Sequence, residues 1–331
     1  MHSATPTPTP SADLTRACLV AGAASAVLMA GVTMYCRRWG WQITDFDQLW
    51  VAGRALVARQ DPYTAWHAAG LAYPLYYPLH AVVLTLPLAL VPLELARTLL
   101  SAVTGFVAGY GLRRLGWWSH LAILSPAWWG AALQGQTAPA LAGAAMVPSL
   151  GFVLAVKPTV GLALWLSRPN RQAVVGVLVL TLLCFLIWPP WFGAWWSTIQ
   201  DARHIRAPIT RPGGILLLLA LLRWRTPEGR LLAAWALIPR TESLYDMLPL
   251  FLVANSAASA GLLVLCTLLA LVGLAFMPAP VVDLAVRTTV NWPVTFGLIY
   301  LPTLLVVLSP LIEIEFRRLR PVHLVRREGE P

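Results

Sequence analysis

Two carboxylates one residue apart, Asp45 and Asp47, open a segment in which Leu49, Gly53 and Leu56 recur at helical spacing, and Asp61-Pro62-Tyr63 closes it. A carboxylate within hydrogen-bond reach of a hydroxyl can take its proton as a new bond forms, so either residue is a candidate general base. Both also have a plainer use, because Thr44 can cap the helix while the two acids favour its positive end. Lys157 stands between apolar runs. An ammonium at membrane depth is costly unless paired, which makes it functional by default. Arg203, Arg206 and Arg240, together with His204, suit an anion, since a guanidinium takes phosphate oxygens two at a time; an arginine at an interface also meets lipid headgroups. Gln136, Tyr245 and Asp246 either bind hydroxyls or cap and close helix ends. His67, His80 and His204 read as exposed interfacial histidines.

These residues are embedded in a chain that is 58% hydrophobic and 11% charged, with a mean hydropathy of +0.68. A water-soluble domain would expose too much of that surface. A helix needs about twenty apolar residues to cross about 30 Å of hydrocarbon, and apolar runs follow one another along the sequence. The expected fold is therefore all-α, a polytopic helical membrane protein with roughly ten to twelve transmembrane or re-entrant helices, some too short to span alone. The formal charge of +10 is scattered between spans, which excludes a nucleic-acid partner and reads as a topology signal. The four cysteines, Cys18, Cys36, Cys184 and Cys266, have no metal-type spacing and read as free thiols; no metal is implied. The sixteen tryptophans cluster near span ends and read as interface markers.

Residues 1–16 are expected to form a disordered Thr/Pro tail in the cytoplasm and residues 317–331 a basic cytoplasmic tail, with a transmembrane domain over 17–316. The first span, Cys18 to Tyr35, is long enough to stay as an anchor. Residues 37–93 make the longest excursion, an external loop in which Ala81 to Val91, broken by Pro87 and followed by Pro92, dips into one leaflet or lies at the interface. Alternation of the later segments puts Arg113-Arg114, Arg168 and Arg171 in the cytoplasm. It collects Asp45, Gln136, Lys157, Arg203 and Asp246 on the opposite face.

The run Asp45-Phe46 through Ala52-Gly53-Arg54-Ala55-Leu56, then Asp61-Pro62-Tyr63, Tyr77-Pro78-Leu79 and Pro87-Leu88-Ala89-Leu90, resembles the amino-terminal signature of glycosyltransferase family 87. Gly135-Gln136, Lys157-Pro158 and Tyr245-Asp246 resemble further blocks of that family, in its order. The resemblance covers about Asp45 to Leu250. It implies a GT-C fold and an enzyme that takes a sugar, mannose first among the candidates, from a polyprenyl-phosphate donor to an acceptor glycan or lipid on the external face of the plasma membrane, with inversion. Asp45 is then the base, with Asp47 as the alternative. Lys157, Arg203, Arg206 and Arg240 would hold the donor phosphate, and Gln136, Tyr245 and Asp246 the sugar or acceptor. No cofactor is implied, and the partners are the bilayer, the donor and the acceptor. A transporter or flippase for an anionic lipid or glycan, or an inactive relative of GT-C enzymes, remains as the alternative.

Overall fold

The computed structural model describes residues 12–40, 45–200, 205–241, 243–277 and 284–319. Among them every regular element is helical. Helix α1, Ala12–Arg38, rises about 40 Å at 1.5 Å per residue, enough to cross a bilayer. It begins earlier than expected: residues 12–16, assigned from the sequence to the disordered tail, form its first turn, where Ala12 and Leu14 are helix formers and Asp13 complements the positive end. At the far end the last helix likewise runs to Leu319, past the expected start of the basic tail at 317.

The excursion between α1 and the next long helix carries α2 (Phe46–Val57), the single turn α3 (Ala65–Ala68) and α4 (Leu79–Thr85), which passes into a 3-10 helix over Leu86–Leu90 with Pro87 in its first turn. That sequence of helix, proline and tightened turn is the short, broken segment expected between Ala81 and Val91. It folds back on α2 because Gly53 has no Cβ: one placed there would lie 2.8 Å from the Cβ of Ala89.

Helix α5, Leu93–Leu112, returns antiparallel to α1. Ser101, Gly105 and Gly109 recur every fourth residue and let the two backbones touch, the close-packing device of helices in lipid. A Cβ at Gly105 would stand 2.6 Å from the carbonyl oxygen of Ser25, and one at Gly109 2.4 Å from that of Ala21. At the other end of the contact the Thr33 hydroxyl donates to Ser101 Oγ at 2.7 Å.

The middle of the chain is a set of short helices: α6 (Pro126–Gln134), α7 (Ala138–Ala144), α8 (Pro158–Ser167) and α11 (Pro227–Leu237), joined by 3-10 helices at Trp117–Leu124, Pro148–Val156, Gly214–Arg223 and Leu244–Val253. The apolar run from His120 to Leu133 is broken at Ser125-Pro126, where the serine hydroxyl accepts from the Trp128 amide and starts α6. Helix α7 rises only about 10 Å and is buried along its whole length, so it fills the centre of the bundle and crosses nothing by itself.

Helices α9 (Arg171–Ile187) and α10 (Trp191–Gln200) form one element bent by 103° at Trp188-Pro189-Pro190. Helix α12 (Ala257–Ala275) and the continuous run of α13 (Leu284–Thr295), a π turn and α14 (Leu301–Leu319) complete the chain. Four helices among the described residues are long and apolar enough to cross a membrane, or five if the bent pair is one span. The chain is a membrane-embedded helical protein, with fewer full-length spans than its apolar runs suggest.

Two cores form. One is central, around Trp128, Leu141, Leu164 and Trp235, and the other, around Phe46, Leu49, Leu79 and Trp191, includes α2 and α4. Trp128 and Trp235 are fully buried, which corrects their reading as interface markers; the exposed Trp39, Trp117, Trp196 and Trp224 fit it. All four cysteines are free.

Candidate functional site

Asp45 links segments that belong to the two cores. Its backbone amide donates to the Gln134 carbonyl at 2.8 Å, which ties the start of α2 to the end of α6. Asp45 occupies the N-cap position of α2, yet its side chain makes no capping bond. Its Oδ2 instead accepts from Gln136 Nε2 and, at 3.0 Å, from the Tyr245 hydroxyl, partners 91 and 200 residues away in the chain. Asp45 does lie at the positive end of α2, as its plainer use requires, and it has these partners besides. No donor among the described residues reaches its Oδ1.

Gln136 is fixed from both ends. Helix α6 closes in a left-handed Gly135, φ +60°, and the Gln136 amide donates back to the Ala131 carbonyl at 2.8 Å. A Cβ at Gly135 would stand 2.7 Å from the Cβ of Phe46, so glycine serves here both the turn and the close approach to α2. The Gln136 side chain is buried, and its Oε1 accepts from the Tyr77 hydroxyl at 3.2 Å, which orients the amide with its Nε2 toward Asp45. The Tyr77 backbone is held in turn: Tyr63 OH donates to its carbonyl at 3.3 Å, Trp195 Nε1 donates to the neighbouring Tyr76 carbonyl at 3.0 Å, and Asp61 accepts from the Tyr63 amide.

Lys157 sits at the vertex between the 3-10 helix Pro148–Val156 and α8. Those two pack tightly, since a Cβ at Gly161 would lie 2.0 Å from the Leu154 carbonyl oxygen. Its ammonium pairs with Asp246 Oδ1 and lies 5.6 Å from the centre of the Tyr245 ring. Asp246 is fully buried, and its other oxygen accepts from the Thr241 hydroxyl. A buried carboxylate matched by one cation and one hydroxyl is satisfied at the cost of desolvating both charges.

Five residues singled out in the sequence, Asp45, Gln136, Lys157, Tyr245 and Asp246, thus come together. Asp47 goes elsewhere: one oxygen accepts from Arg97 Nε at 2.9 Å and the other from the same guanidinium, which also pairs with Glu94. That buried bidentate pair ties α2 to α5 and occupies both oxygens of Asp47. Arg240 is buried with its guanidinium 3.5 Å from the Trp235 ring centre, one residue before Thr241. Arg206 is exposed and enters none of the cluster's hydrogen bonds or ion pairs. Arg203, like Thr44 and His204, lies outside the described residues. His67 is exposed, but His80 is not: its Nε2 lies 2.8 Å from Thr181 Oγ1 and its ring meets Trp191 edge-on. The sequence reading named Tyr77 within the Tyr77-Pro78-Leu79 block without giving it a role, and it missed Thr241, whose one signal was its place beside Arg240.

The electrostatics of Asp45 follow from its setting. Burial pushes its carboxyl above the ordinary carboxylate range and the negative charge of Asp246 adds to that, while Lys157 and the two donors on Oδ2 pull the other way. A carboxylate poised in this manner is a stronger proton acceptor than an exposed one. The arrangement offers an open carboxylate oxygen and a cation a short distance from it, lined by tyrosine and amide groups. No family model matches the chain, and comparisons with curated proteins and with solved structures find no match.

Proposed function

We propose that the protein is an integral membrane glycosyltransferase of GT-C type, similar to family 87, that moves a hexose, mannose first among the candidates, from a polyprenyl-phosphate donor to an acceptor glycan or glycolipid. The observation that carries this reading is the convergence of Asp45, Gln136, Lys157, Tyr245 and Asp246 from four distant parts of the chain, with one carboxylate oxygen left open. In the reaction the acceptor hydroxyl gives its proton to Asp45 Oδ1 as its oxygen bonds to the anomeric carbon. The bond from that carbon to the phosphate oxygen breaks, and the electron pair leaves with the polyprenyl phosphate. Attack opposite the leaving group inverts the anomeric centre.

Charge builds on the departing phosphate, and Lys157 supplies the positive charge nearest the carboxylate. Arg240, Arg206 and Arg203 are the further phosphate candidates, and Gln136 and Tyr245 hold Asp45 in place while offering polar edges to the sugar. The site belongs to the external face of the plasma membrane, opposite Arg113-Arg114, Arg168 and Arg171, with both termini cytoplasmic. Membranes carrying the protein, given a radiolabelled polyprenyl-phosphate mannose and a mixed glycolipid extract, should form a labelled product. Asp45→Asn should reduce that product by about 10²–10⁴-fold at unchanged protein level. Transbilayer movement of label without product would replace the enzyme with a transporter.

A further inference from the structure

At the opposite end of α1, away from the Asp45 cluster, a groove of about 580 Å³ opens between the first turns of that helix and the segment from Arg113 to His120. Its floor is one face of α1, where Ala17, Val20, Ala21 and Ala24 recur at helical spacing with side chains too small to fill it. Its wall is Trp117, which is 61% exposed. The wall stands clear because Gly116, at φ +134°, turns the chain between two 3-10 helices and Trp118 packs over that glycine. From Arg16 to Ala24 the groove runs about 12 Å along the helix, close to the depth of one leaflet.

Arg16 and Arg113 stand at the mouth, and the one acid that lines it, Asp13, forms no ion pair with either. The neighbouring polar side chains are directed elsewhere: Arg114 lies over the Tyr110 ring, and His120 is bonded to the Gly109 carbonyl and contacts Ser119. The result is a channel apolar along its length and cationic at its aqueous end, with a tryptophan at headgroup level. A groove at that depth is filled in a membrane, and its chemistry matches one molecule with an anionic head and a hydrocarbon tail.

We propose that this groove is a binding site for one anionic phospholipid, its phosphate between Arg16 and Arg113 and an acyl chain along Ala17, Val20 and Ala24. The positive-inside rule assigns the site to the cytoplasmic leaflet. The proposal is independent of the transfer reading.

Native mass spectrometry of the full-length protein, titrated with phosphatidylglycerol or phosphatidylcholine, tests it. One phosphatidylglycerol should bind about tenfold more tightly than phosphatidylcholine, and Arg16→Gln with Arg113→Gln should abolish that preference at unchanged melting temperature. Ala24→Phe, which fills the groove and leaves both arginines in place, should weaken retention of the lipid as well. Equal binding of the two lipids, or a preference that survives the double substitution, overturns the proposal. A photo-crosslinker at Val20 gives a second readout: adducts to phospholipid support the site, whereas adducts to residues 1–11 or to a second copy of the chain give the groove to another occupant and end the proposal.

Discussion

Gly135→Ala tests how the site is positioned without touching any group proposed to do chemistry. Gly135 has φ +60°, and holding an alanine there costs about 1–2 kcal/mol. The added Cβ would lie 2.7 Å from the Cβ of Phe46, far inside ordinary contact, and such overpacking costs about a further 1–3 kcal/mol. Phe46 is fully buried against the second core and cannot turn away, so the strain falls on the junction between α6 and α2. The junction relaxes by moving apart, to about 1 Å if an ordinary contact is restored, and it carries Gln136 on one side and Asp45 on the other. Misplacement of that size in a reacting pair costs about 10²-fold in rate. The expected outcome is a lower melting temperature in detergent and a transfer rate down by about two orders of magnitude. Gly31→Ala is the control, since nothing lies within 4 Å of a Cβ there; it should lower neither. A Gly135→Ala protein that matches the parent in both measurements would show that the close approach at Phe46 does not position the site.

Asp45→Asn should leave the melting temperature unchanged or higher at neutral pH. The carboxyl is raised above its ordinary value, so the fold is favoured while the group is protonated, below about pH 4, and loses that favour as pH rises through the raised value; asparagine does not ionise, and the gap to the parent should close in acid. For the same reason the acid limb of the transfer rate against pH should lie above the range of an exposed aspartate, and a limb at or below that range would remove Asp45 as the base. Lys157→Met strands a buried carboxylate and should cost about 3–5 kcal/mol, measured by thermal unfolding; Lys157→Met with Asp246→Leu should regain most of it without regaining transfer. Asp47→Ala should behave as a stability variant, losing about 3 kcal/mol with Arg97 left buried, while the protein that stays folded keeps its rate. Tyr77→Phe frees the Gln136 amide to turn and should lower the rate by about tenfold while the melting temperature holds within a few degrees.

Membrane residence, helical class and the broken segment around Pro87 were legible because each rests on local composition: apolar runs, and proline where a helix must stop. The span count was not legible. Ala138–Ala144 and Leu244–Val253 are as apolar as a lipid-facing helix, but they are buried among other helices, and hydropathy does not distinguish an apolar neighbour from a lipid tail. The same ambiguity misassigned Trp128 and Trp235, whose rings fill the centre of the bundle. His80 was misread because its partner, Thr181, lies 101 residues away on α9.

Sequence alone also left Asp45 and Asp47 equivalent, and what separates them is the helical repeat. Two residues apart on a helix start, their side chains point about 200° apart around the axis, so they meet different neighbours. One faces α5, where Arg97 takes both of its oxygens; the other faces α6 and the Tyr245 segment, where neutral donors take a single oxygen. A carboxylate with both oxygens held by a guanidinium has neither left to receive a hydroxyl proton. One held on a single oxygen by an amide and a phenol keeps its orientation and its basicity together. The number of oxygens taken, two against one, therefore favours Asp45 as the base of the proposed reaction. Gln136→Lys, which places a cation on the bonded oxygen of Asp45, should lower transfer more than Gln136→Ala. Equal loss in the two variants, measured as initial rate at neutral pH, would mean that Gln136 acts through packing alone.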